Sequence, residues 1–80
     1  MQQSEEFGTL QRLVDALFRE KKLVSRLDVL LTAESFDLID DLVEIVTLLP
    51  PGKYTRQRLC DQLNSAISGH GWGFVYGTVE

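Results

Sequence analysis

The chain has little of the chemistry that most often gives a function away. Cysteine and histidine occur once each, as Cys60 and His70. A single thiol closes no intramolecular disulfide, so a stapled secreted scaffold is excluded and a reducing cytoplasm is the expected setting. Two such residues also fall short of the four ligands of a structural zinc site. A nucleophile and base would have to be this same pair, yet Cys60 sits on an apolar helical stripe and His70 lies ten residues further on. No third group is placed to orient them, so neither a catalytic residue nor a cofactor is expected, and the reading is a non-enzyme. Basic residues are scarce too: eight Lys and Arg stand against twelve Asp and Glu, for a net charge of −4. That balance disfavours a general polyanion binder. No apolar run approaches the roughly 18 residues of a membrane span, so no membrane partner is expected. Residues 1–6 lack the basic start and apolar stretch of a signal peptide.

What remains is the composition of a folded protein, 44% hydrophobic and 25% charged, with eighty residues and thus room for a single small helical domain over 1–80. Ser4 is a plausible N-cap, and Glu5 and Glu6 suit the positive end of a helix dipole. Phe7, Leu10, Leu13, Val14, Leu17 and Phe18 then occupy an arc of about 140° at helical spacing, which predicts an amphipathic helix over 5–21. Residues 22–31 read two ways. Ser25 with Asp28 three residues later fits a capping box opening a short helix, the preferred reading. The loose alternation of Leu23, Leu27, Val29 and Leu31 would instead suit a strand.

Thr32 is the next candidate N-cap, and apolar periodicity from Phe36 to Leu49 predicts one long central helix over 33–49. Pro50-Pro51-Gly52 stops it. Thr55 caps a last helix over 56–68, with Tyr54 and Leu59 as a hydrophobic staple and Gly69 as the left-handed stop. Residues 69–80 differ: Trp72, Phe74 and Tyr76 share one face of an extended, glycine-spaced segment.

The expected fold is therefore all-α, a four-helix arrangement with an extended C-terminal tail or short strand. Its core is expected to comprise Phe7, Leu10, Leu13, Val14, Leu17, Phe18, Leu27, Leu30, Phe36, Ile39, Leu42, Val43, Val46, Leu49, Leu59, Leu63 and Ile67. The alternative is an α+β fold in which 22–31 and 72–79 pair as a two-stranded ribbon. The architecture, and the docking role built on it, depend on 33–49 forming one rod.

Three surfaces invite a functional reading. Glu34, Asp37, Asp40, Asp41 and Glu44 form an acidic face of about 120° on the rod, with no Lys or Arg between them. Without a second acidic pair on a facing helix they make a poor metal site, so a solvated face or a dock for a basic partner is expected. Trp72, Phe74 and Tyr76 serve as a core-covering flap or as a recognition surface. Lys53, Arg56 and Arg58 crowd a helix N-terminus, where cations are unfavourable, and so could contact an anion. The expected function is a small non-catalytic interaction or regulatory module. It would self-associate as a homodimer, or dock a larger protein, through the apolar face of 33–49 or the aromatic tail. The alternative is a winged-helix-like DNA-binding regulator that uses Lys53, Arg56 and Arg58, with 71–79 as a crude wing.

Overall fold

The computed structural model describes residues 5–80, so the Ser4 cap lies outside the described residues. Helix α1 runs Thr9–Leu17, later and shorter than the periodicity predicts. Gly8 is the reason at its start: it takes a left-handed φ of 86° as the N-cap, and its N–H donates to the Tyr76 carbonyl at 3.1 Å. The buried stripe is Leu10, Leu13, Val14 and Leu17, as expected, while Phe7 stays exposed and lies against Gly77.

Both readings of 22–31 hold in part. Strand β1 covers Val24–Ser25, and helix α2 runs Arg26–Ser35. The capping box is complete: Asp28 N donates to Ser25 Oγ at 3.0 Å, and Ser25 N donates to Asp28 Oδ2 at 2.9 Å. The partner of β1 is not the tail, however. It is strand β2, Lys53–Tyr54, paired antiparallel with Val24 opposite Tyr54 and Ser25 opposite Lys53. Each strand passes directly into the N-cap of a helix, Ser25 for α2 and Thr55 for the helix after β2. The chain thus contains two helix–strand–helix units, joined at the bridge.

The long central rod does not exist. Thr32 lies inside α2, which ends at Ser35, and helix α3 covers only Asp40–Thr47. Between them Asp37 adopts φ 52°, the sole non-glycine with positive φ among the described residues. Asp tolerates the left-handed region better than most residues. Asp40 and Asp41 then occupy the first turn of α3, where acids suit the dipole. The expected docking face on 33–49 is consequently divided between two helices and a link. Arg26 closes the far end of α3, its Nε donating to Leu49 O at 2.7 Å and its Nη2 to Thr47 O at 3.0 Å.

Helix α4, Arg56–Gly69, begins as expected, with Thr55 Oγ1 accepting from Arg58 N. Its stop is two residues later than Gly69. Gly71 takes φ 69°, and Trp72 N to Ile67 O together with Gly71 N to Ser68 O form the paired bonds of a Schellman ending. The tail is not a strand: Gly73–Tyr76 is a single helical turn, α5, and residues 77–80 after it form neither helix nor strand.

The result is mostly helical, with a small two-stranded sheet. The core comprises most of the expected leucines and valines, joined by Val24, Val29, Ile45, Tyr54, Tyr76 and Val79. Phe18, Leu30 and Phe36 are only partly buried, and Phe7, Leu27, Ile39 and Val43 belong to the surface. Val43 is expected inward from a periodicity that runs through the break, whereas Leu27 lies before it and turns outward because α2 buries its opposite side, Val29 and Ala33.

Candidate functional site

The acidic residues and the aromatic tail, read separately from the sequence, meet in the structure. Tyr76 is buried, and its hydroxyl donates to Asp41 Oδ2 at 2.6 Å. His70 Nε2 lies 3.8 Å from Glu44 Oε2. Trp72 is half-buried between them, stacked on His70 at 4.4 Å between ring centroids and edge-on to Tyr76 at 5.6 Å. Donation to Asp41 holds the phenol proton, so Tyr76 titrates above its ordinary value of 10.0. The tail is therefore a strap laid over the helices, and Phe74 alone of its three aromatics is exposed. Glu34, Asp37 and Asp40 remain exposed and make no ion pair among the described residues.

Polar side chains fasten the end of the strap. Asn64 makes two bonds to Val79, Nδ2 to its carbonyl at 2.9 Å and Oδ1 from its N–H at 2.8 Å. Gln11 does the same for Glu80 at 2.9 Å each way. Arg56 donates to the Glu80 carbonyl from Nε and Nη2 and pairs with the Asp15 carboxylate, which its hydrogen bond holds below the usual range, helped by Gln11. One of the three cations proposed for nucleic-acid contact is thus engaged within the chain. Arg58 lies over the Tyr54 ring, 5.8 Å from its centroid, and Lys53 is exposed. No wing accompanies them, since 71–79 contains no strand.

Cys60 is buried, and burial pushes its thiol upward, away from the reactive thiolate. Among the described residues no three His, Cys, Asp or Glu side chains gather as a cation site, and no helix is long and apolar enough to cross a membrane.

A different surface emerges on α2. Its inward side buries Val29 and Ala33. On the opposite side Leu27 and Leu31 are 63% and 57% exposed, and Leu23, just before β1, is 49% exposed. Leu27 and Leu31 are one turn apart, hence stacked on one face. Leu30 lies beside them, half-buried, and continues the apolar surface into a groove of about 270 Å³ with Ala33, Leu38, Val43 and Val46. A second groove, of about 460 Å³, flanks Leu31 on the other side; it runs past Ala16 and Leu17 and is edged by Arg19, Glu20, Lys21 and Asp28. The leucines therefore form a ridge between two grooves.

These leucines escape the sequence reading because it ends the short helix at residue 31. Continued to Ser35, the wheel places Val29 and Ala33 opposite Leu27 and Leu31, and no single stripe can serve both sides. The signal was present but lay across the expected boundary. Compared with models of known protein families, with curated proteins and with solved structures, the chain matches none.

Proposed function

We propose that this protein is a small, non-catalytic interaction module whose docking element is the outward side of α2. One observation carries the reading: α2 is apolar on two opposite sides, and the chain covers only one of them. Single exposed leucines are common on protein surfaces and call for no explanation, but a ridge of them continuous with an apolar groove is the mark of an interaction surface. Covering each leucine's remaining exposed part is worth about 1 kcal/mol, so the face supplies real binding energy. Protein docking is preferred to nucleic-acid contact because Arg56 is tied to Asp15 and Glu80 and the exposed acids outnumber the cations near the surface.

A photo-crosslinking residue at position 27, with one at the exposed Ser65 of α4 as control, tests this in the cells that make the protein. A discrete adduct from position 27 and none from position 65 is expected. Equal, diffuse labelling from both positions contradicts the reading.

A further inference from the structure

We propose that the occupant of this face is a second copy of the chain, docked with its α2 antiparallel across a two-fold axis. The inference rests on the reading of α2 as the docking element and adds which partner covers it. Charge placement carries it. Residues 19–28 hold Arg19, Lys21, Lys22 and Arg26 against Glu20 and Asp28, whereas residues 29–44 hold Glu34, Asp37, Asp40, Asp41 and Glu44 and no cation. Around α2 the cations Arg19, Lys21, Lys22 and Arg26 thus lie before or at its start, and apart from Asp28, which serves the N-terminal capping box, the acids Glu34 and Asp37 lie at or just beyond its end. Arg26 is occupied in capping α3 and Lys21 lies 3.7 Å from Asp28, but Arg19 and Lys22 have no ion pair among the described residues, and neither have Glu34 and Asp37.

A surface that is basic at one end, acidic at the other and apolar between is complementary to itself when turned end for end. An axis midway between Leu27 and Leu31 sets Leu27 of one copy against Leu31 of the other. It also brings Lys21 and Lys22 toward Glu34 and Asp37 of the second copy. Each contact occurs twice, as an isologous interface requires. Parallel docking would instead set like charges together, at a cost that rules it out. The shape agrees with the charge, because a ridge between two grooves accepts the groove and ridge of an identical helix.

One helix per copy makes a small interface of the weak class, so association is sought at concentrations up to about 1 mM. Light scattering and sedimentation should show a dimer that Leu27→Glu with Leu31→Glu abolishes. Leu31→Lys alone serves as a second variant if that pair folds poorly. The charge swap is more specific. Lys21→Glu with Lys22→Glu, and separately Glu34→Lys with Asp37→Lys, should each weaken self-association about tenfold or more, and mixing the two variants should restore it as a heterodimer. A wild-type chain that stays monomeric, a dimer indifferent to Leu27 and Leu31, or a mixture that fails to recover would each overturn the proposal. A monomer that still gives a discrete adduct of another mass from position 27 would reject the second copy and leave the docking face standing. Loss of that adduct would remove both.

Discussion

Asp37 carries much of the architecture in one dihedral angle. At φ 52° it turns the chain between α2 and α3, and an L-residue in that conformation bears a cost of about 1 kcal/mol that glycine avoids. The sign of a substitution there separates a break from a rod. Inside a continuous helix Asp37→Ala would stabilise and Asp37→Gly would cost about 1 kcal/mol relative to it. With the break, Asp37→Gly should be the more stable of the two by about 1 kcal/mol, as read from urea midpoints; the opposite order contradicts it. Asp28 carries a second residue-scale prediction. Its carboxylate accepts the Ser25 N–H, which holds it below its ordinary 3.8, and Asp15 is lowered likewise by Arg56. Since the folded values lie below the unfolded ones, this stability is complete above the ordinary value and is lost as pH falls through the lowered values. Unfolding free energy measured from about pH 5 to 2 should fall less steeply in Asp28→Asn than in the wild type. An unchanged slope would show that the box contributes nothing.

At the scale of elements, the strap is a structure of side chains rather than of a ladder. Residues 77–80 have no strand partner, so Asn64 and Gln11 take the place of a neighbouring strand by offering both a donor and an acceptor to Val79 and Glu80. Asn64→Ala should cost about 1–3 kcal/mol, because it leaves the Val79 amide without its partner. Tyr76→Phe should cost about 1–2 kcal/mol by removing the bond to Asp41. The single tryptophan, Trp72, reports on both: its emission should shift to the red and quench more readily as the strap loosens. The wild type should show the same change at high pH. The raised phenol keeps its contribution complete below 10.0 and loses it as pH climbs through the raised value. Unaltered emission in both variants would contradict the strap.

The same elements show what can be read from sequence and what cannot. The capping box of α2, the Thr55 cap of α4 and the buried stripes of α1 and α4 are local, set by side chains a few residues apart, and they are legible. The break at Asp37 is not, because no Gly or Pro marks it and the apolar period continues across it. The β1–β2 bridge joins residues thirty apart, and two-residue strands leave no periodicity to detect. The leucine ridge is legible in part: Leu27 and Leu31 are plain, but their exposure depends on which side Val29 and Ala33 take.

The molecule as a whole is built from two helix–strand–helix units tied at Val24 and Tyr54, with the strap across α4 and α3. Such a plan buries one side of every longer helix. It leaves α2 with exposed leucines on the side opposite its buried one, with Lys21, Lys22 and Arg26 toward the start of that helix and Glu34 and Asp37 toward its end. The central claim is that Leu27 and Leu31 serve a contact outside the fold while Val29 serves the fold. Urea unfolding of dilute protein, where association is absent, tests it most directly. Leu27→Gln with Leu31→Gln should change stability by no more than about 1 kcal/mol, as expected of surface positions, whereas Val29→Ala should cost about 2 kcal/mol. A loss of about 4 kcal/mol or more in the double leucine variant would place those side chains in the core and contradict the account.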